Sequence, residues 1–439
     1  MSLFSSRASF CLVFLCLPLL FLPKINLIRL DAATMTGLRI DDFVLCAFAF
    51  MMTWAHFSLR KGFLPIETWI ISILFFSLFS WICNRILISL EVLHVQASLF
   101  HCVRLLEYFL FFYIGILAYK TFPERAVIRA FFLWNLAIML LQRAGLIGEF
   151  SSLHGYMAES TYRVAGIASF PSEMGALLNL LFCYFLYAPE EPLRIIKFPT
   201  QLRPLIREGF PYFLFFLFMI LVAMTGSRIA IVALALPFLN FLRQRIHPHS
   251  LFSWLLPASI LLLAIGITLL LVMQTDSIAT RSQGLLSWRN IDLIRMVWDN
   301  TDITQPLDDL NRIEYGEYDM SWWIRIHKWC YAVKTYVTNP ACYLQGIGPG
   351  ATGMALDGGL LRIFLENGIF GSFLYFKMFS SMARQSTQLY WMIVAFMINM
   401  IFFDVYLAYK PMGLLFLLSG YAYAEIRASF SSPSLMRHI

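Results

Sequence analysis

Arg228, Arg325 and Asp357 have the residue types and settings for chemistry on an anionic group. Arg228 closes the short turn Thr225-Gly226-Ser227-Arg228, and the apolar run Ile229-Ala230-Ile231-Val232 follows directly. A guanidinium is planar and permanently charged, and it matches phosphate oxygens in two-point contacts. Gly226 would let the backbone approach such a ligand closely. An arginine beside an apolar run also marks a membrane interface by snorkelling, so both readings stay open. Arg325 shares a helical face with Trp322, Ile326 and Trp329, spaced i, i+3, i+4 and i+7 from Trp322. It could be a second phosphate ligand, or it could meet an aromatic ring or a lipid headgroup. Asp357 precedes Gly358-Gly359 and a long apolar run. A carboxylate there can cap a helix, and it can also take a proton from a sugar hydroxyl.

Other charges lie near the same surface. Arg39 stands with Asp41 and Asp42, Arg163 is followed by Glu173, and His327 is a neighbour of Arg325. Arg362 and Glu366 are spaced i, i+4, which favours a structural ion pair. Charges inside an apolar run nevertheless suggest a face turned to a protein-lined cavity, so Glu366 joins Arg39, Arg163 and His327 as a candidate substrate contact. Arg104 and Glu107 follow the same logic. Several arginines around one mouth suggest a polyanionic group such as a pyrophosphate. No cysteine or histidine set has metal-ligand spacing, and no nucleotide-binding glycine loop is present. No metal and no cofactor are expected. Cys330 and Cys342 could pair if their segment faces an oxidising compartment.

The elements that position these residues are written in the composition. The chain is 59% apolar and 13% charged, against about 25% charged in a soluble domain. Apolar runs recur at the roughly 20-residue length that spans a bilayer. The expected fold class is an all-α polytopic membrane protein of about twelve transmembrane helices. Their centres fall near residues 17, 50, 74, 110, 136, 179, 218, 235, 262, 369, 396 and 418. Residues 1–273 hold nine, 359–439 hold three, and 274–358 form one long polar loop between them. The first run, Cys11 to Pro23, is read as a span and not as a cleaved signal.

Lys and Arg cluster in alternate loops, at 60–61, 120–129, 194–207, 243–245, 377–384 and 427–437. The positive-inside rule makes those loops and both termini cytoplasmic and puts the long loop outside, with Lys24, Arg29 and Arg39 as exceptions. The +7 net charge therefore reports orientation and does not point to nucleic acid. Within the long loop, Ser321 to Val337 reads as an amphipathic helix lying along the outer leaflet, its Trp and Tyr rings anchoring at the interface. Residues 288–319 are acidic-rich and weakly helical. No inverted internal repeat is visible, which counts against a transporter.

Thr225-Gly226-Ser227-Arg228-Ile229-Ala230 resembles the TxSR-type turn of the O-antigen polymerase/ligase superfamily. Gly346-Ile347-Gly348-Pro349-Gly350, then Asp357-Gly358-Gly359-Leu360 and Glu366-Asn367-Gly368-Ile369-Phe370-Gly371, are similar to that family's second block. Gly37-Leu38-Arg39-Ile40-Asp41-Asp42 and Phe170-Pro171-Ser172-Glu173-Met174-Gly175 resemble further family segments. The ordered set covers nearly the whole chain. The resemblance implies a metal-independent inverting glycosyltransferase at the periplasmic face of the inner membrane, using undecaprenyl-pyrophosphate-linked oligosaccharide. It implies Arg228 and Arg325 as pyrophosphate ligands and Asp357 as the base or acceptor-positioning group. Ligases of the family, which move polymer onto a lipid A core, typically carry a histidine where this chain has Asp357, so the resemblance favours a polymerase that joins repeat units of O-antigen or a similar surface polysaccharide. The bilayer is the other expected partner, and a chain-length regulator is left open.

Overall fold

The computed structural model describes residues 6–23, 28–31, 36–38, 42–49, 51, 64–87, 95–151, 155–157, 163–188, 203–245, 266, 289–303, 320–351 and 356–431. Runs of Leu, Ile, Phe, Met and Ala satisfy their own backbone groups best as helix, and most of these residues are helical. The chain runs through α1 (Ser6–Cys16), α2 (Pro18–Phe21), the helical residues 42–49, α3 (Pro65–Leu87), α4 (Val95–Ala118) and α5 (Glu124–Arg143). It continues through α6 (Pro171–Leu186), α7 (Arg203–Thr225) and α8 (Arg228–Arg245). Then come α9 (Arg289–Asn300), α10 (Met320–Thr338), α11 (Cys342–Gln345), α12 (Gly359–Ala383), α13 (Thr387–Asn399) and α14 (Tyr409–Ser431). Two antiparallel ribbons, β1 (Ile28–Asp31) with β2 (Thr36–Leu38) and β3 (Glu149–Ser151) with β4 (Gly155–Met157), are small additions.

Helix covers or flanks each predicted span centre among the described residues. The centres at 50 and 262 lie outside them. The helical fold thus stands as expected. By length and composition, one described helix, within Pro65–Asn84, is long and apolar enough to cross a membrane. Phe10–Phe21, Pro171–Leu186 and Gly209–Thr225 are apolar but shorter.

Contacts at the helix ends give the direction of the bundle. Glu173, in the first turn of α6, accepts from the backbone N–H of Lys410 at the start of α14 (3.4 Å). A Cβ on Gly175 of α6 would meet Ala230, Ser227 and Thr225, so the α7–α8 turn lies at that same end. The ammonium of Lys410 donates to the carbonyls of Leu19 (3.0 Å) and Leu22, fastening the end of α2 there. From this end α4 and α14 run in parallel: Tyr108 bonds to the Leu407 carbonyl, and further along Tyr421 donates to that of Phe122 (3.1 Å). They touch backbone to backbone, because a Cβ on Gly115 would lie 2.2 Å from the Leu417 oxygen and one on Gly420 2.1 Å from that of Phe112.

The described parts of the polar region are more structured than their sequence suggests. Residues 289–300 form the amphipathic helix α9 where only a weak helical signal was expected. Its Leu293 and Val297 pack on Trp323, Ile326 and Cys330 of α10. The α10 helix matches its expected span within a residue at each end. Its rings are used differently from expectation: Trp323 is 2% exposed, and Tyr331 and Tyr336 are buried in protein. Burial and the nearby Asp302 push the Tyr331 hydroxyl up to about 12. The suggested Cys330–Cys342 disulfide is not formed. The two thiols sit in different packing clusters, both free and buried, and burial pushes Cys342 up to about 11.

Candidate active site

Helix α12 begins at Gly359 behind its N-cap Gly358, and the residue before them has a backbone that L side chains seldom adopt. Asp357 has φ +56°, the only non-glycine with positive φ among the described residues. Asp is among the few residue types that tolerate this region. The conformation is held from three sides. Asp404, between α13 and α14, accepts the amide of Leu356 on Oδ2 (2.8 Å) and that of Gly358 on Oδ1 (3.1 Å). Trp329 of α10 donates its indole N–H to the Leu356 carbonyl (2.7 Å). The Asp357 carboxylate then points at Arg325, whose Nε lies 2.8 Å from Oδ2, both side chains about a third exposed (31% and 32%). The capping role open to Asp357 is thereby corrected. Gly358 is the N-cap of α12 and has no side-chain cap bond; Asp404 takes its amide instead.

Beneath this pair lies a closed ionic cluster. Arg362 is fully buried and donates from Nη1 to Asp404 Oδ2 (2.8 Å) and from Nε to Glu366 Oε1 (3.0 Å). The i, i+4 ion pair is as expected, with Asp404 as a second partner. Glu366 is 2% exposed and bonded inward, so it belongs to the foundation and not to an open mouth.

The glycine-rich block shapes the wall behind. Helix α12 is broken at Gly368 (φ +62°, ψ −166°). The carbonyls left at Leu365 and Glu366 accept the amides of Ile347 (2.8 Å) and Gly348 (3.0 Å). A Cβ on Gly346 would lie 2.2 Å from the Glu366 oxygen, and one on Gly368 2.5 Å from the Gly346 nitrogen. Polar residues of the apolar α3 complete the joint: Ser80 donates to the Gln345 carbonyl (2.7 Å) and Asn84 to that of Gly346 (3.1 Å).

The second arginine corner is the α7–α8 turn. Gly226 has φ +64°, which permits the reversal. Arg163 donates from Nε to the Thr225 carbonyl (3.0 Å), and its side chain passes 3.1–3.5 Å from where a Gly226 Cβ would sit, so the glycine also makes room for this arginine. Arg228 is exposed as the first residue of α8. A cation opposes the positive end of a helix dipole, so helix stability does not explain its position. Glu173 is committed to the amides of Ser169 (3.1 Å) and Lys410. Residues 404–410 join the two corners, with Asp404 bonding under Asp357 and Lys410 bonding to the start of α6 beside the turn.

Two further candidates remain. His327 is 7% exposed, its ring 3.7 Å from that of Trp323 and Nδ1 3.3 Å from the Trp323 carbonyl. Burial lowers its pKa from the ordinary value, and its enclosure against Trp323 makes it a packing residue. Arg39 lies outside the described residues. Asp404 is the site residue the sequence reading missed. Its signal was a lone carboxylate in the aromatic run Phe402-Phe403-Asp404-Val405-Tyr406, between two spans.

No family model matches the chain, and the curated proteins hold no sequence match to it.

Proposed function

We propose that this chain is a polytopic glycosyltransferase of the O-antigen polymerase type. It would transfer a growing glycan from undecaprenyl pyrophosphate onto the next lipid-linked repeat unit. The observation that carries the reading is the Arg325–Asp357 pair at the start of α12, on the same end of the bundle as Arg228. An acceptor hydroxyl attacks the anomeric carbon and its proton passes to the Asp357 carboxylate. The bond to pyrophosphate breaks, its electrons leave with the phosphate oxygen, and Arg228 and Arg325 stabilise that charge. Fixed cations at developing charge are commonly the largest catalytic contribution.

A bilayer setting for the bundle, with twelve spans and both termini cytoplasmic, has physical support. Large apolar side chains stay outward on several helices, among them Phe75 (74% exposed), Phe213 (63%) and Leu133 (60%). Such faces favour lipid over water. The Gly115/Gly420 contact is the small-residue packing that helices use in lipid. Lys120, Arg125 and Arg129 flank the turn between α4 and α5, at the end away from Asp357. A cytoplasmic position for that end leaves the site outside.

The break in α12 favours a second reading, a transporter of lipid-linked sugars, since broken helices line transport sites. Here two carbonyls at the break, those of Leu365 and Glu366, are taken by the amides of Ile347 and Gly348, which supports a structural joint over an ion site. The deciding experiment is deletion of the gene, with surface polysaccharide resolved on a gel. Core bearing one repeat unit and no ladder supports the polymerase. Core with no repeat, and polymer stranded on the lipid carrier, means a ligase. Loss of all exported repeat means transport, and an unchanged pattern overturns the O-antigen reading. Plasmid-borne Arg228→Ala should fail to restore the ladder at normal protein level, and Arg228→Lys should restore it poorly.

A further inference from the structure

We propose that Asp404 is a positioning residue for the reaction, acting through Asp357; this rests on the assignment of Asp357 as the group that receives the acceptor proton. Asp404 does not reach the mouth itself. Its two oxygens take the backbone amides on either side of Asp357, at 2.8 Å from Leu356 and 3.1 Å from Gly358. The Gly358 amide belongs to the peptide plane after Asp357, and the Leu356 carbonyl, held by Trp329, to the plane before it; Asp404 fixes the first directly and steadies the second by holding the Leu356 amide on the other side of the Leu356 Cα. Those planes set the left-handed backbone of Asp357 (φ +56°) and so the direction of its side chain toward Arg325.

The carboxylate is itself fixed. Arg362, wholly buried, donates to Asp404 Oδ2 at 2.8 Å and is anchored on its other side by Glu366. Glu366 in turn offers its carbonyl to Gly348, so the foundation is continuous with the glycine joint. A strained backbone conformation persists only when its surroundings over-determine it, and such strain gathers at working sites. Asp404 has the one carboxylate bonded to both sides of that strain among the described residues. A neutral amide in its place could accept from one flanking N–H but would turn its own NH2 toward the other or toward Arg362.

The test uses full-length protein in membranes or detergent, with two readouts. The first is hydrogen exchange at Leu356 and Gly358; the second is glycan transfer with kcat and KM separated. Asp404→Asn should speed exchange at those two amides while α14 keeps its protection, and should lower kcat by about a hundredfold, as a misplacement near 1 Å does, with KM little changed. Asp404→Glu keeps an anion opposite the buried Arg362, so it should fold even if Asp404→Asn does not. Its oxygens are displaced by one methylene, and kcat should fall at least tenfold. Full activity in either variant, or unaltered exchange in both, overturns the proposal. A fall confined to KM, or a loss of α14 protection that parallels the loss of activity in both variants, also overturns it, because Asp404 is then a binding or purely structural residue. Wild-type protein that transfers no glycan overturns the polymerase reading and this proposal together. Active wild type with active variants overturns this proposal alone.

Discussion

At the scale of single residues, Asp357 is where stability and the proposed function can be separated. Its pair with Arg325 is partly exposed, and such pairs contribute about 0–1 kcal/mol. Its left-handed backbone costs an L residue about 1–2 kcal/mol, and Asp less than most. Asp357→Gly relieves the strain and forfeits the pair, so thermal stability should change little or rise while polymerisation is lost. Asp357→Asn tolerates the same backbone but cannot receive a proton, and it should also be inactive. A fully active Asp357→Asn leaves the residue without a role in proton transfer. His327 gives a test in pH. Its folded pKa lies below the usual 6.5 because burial disfavours the cation, so the unfolded chain binds the proton more readily. Stability contributed by neutral His327 should be complete above about pH 7 and decline as pH falls through roughly 6.5. The midpoint of heat unfolding, followed by α9–α10 exchange, should show that decline in wild type and a shallower one in His327→Gln.

At the scale of elements, α12 explains which parts were legible in the sequence. Its start, its apolar content and the Arg362–Glu366 pair follow from periodicity and charge spacing, as does the extent of α10. The break at Gly368 did not follow, since a glycine in a helical pattern is usually just tolerated. Only the tertiary fit of residues 344–348 against it demands a positive φ there. Asp404 was invisible for a related reason: its partners at 356, 358 and 362 are more than 40 residues away in sequence, beyond any local pattern. Two glycine substitutions measure the difference. Gly145 has φ +70° with nothing within 4 Å of a Cβ, so Gly145→Ala should cost only the backbone strain, about 1–2 kcal/mol. Gly368→Ala adds contacts of 2.5 Å with the backbone of Gly346 and Leu344, which cannot swing aside. It should cost more than Gly145→Ala in detergent unfolding, and α11 should lose exchange protection. Equal costs for the two would mean that the joint is not rigid.

At the scale of the whole molecule, Asp357 and Arg228 lie at one end of the bundle, and the proposed chemistry requires that end to face away from the cytoplasm. The helices that meet near Asp357 and Arg228 have their other ends among basic residues such as Arg125, Arg129 and Arg384. In the proposed bilayer setting, positive charge retained on the cytoplasmic side would orient every span at once. Two exposed positions report the result. Ala341 lies beside the glycine joint, and Thr387 begins α13 at the basic end. Single cysteines are placed at each, with the exposed Cys11 and Cys46 replaced by Ser. An impermeant thiol reagent should label Ala341→Cys in intact spheroplasts and should reach Thr387→Cys only after lysis. The opposite pattern would put Asp357 and its arginines in the cytoplasm, where an outward-displayed lipid-linked glycan cannot reach them, and the polymerase reading would fall. Release of the protein by alkaline carbonate would remove the bilayer itself, and the outward phenylalanines of α3 and α7 would then need a protein partner.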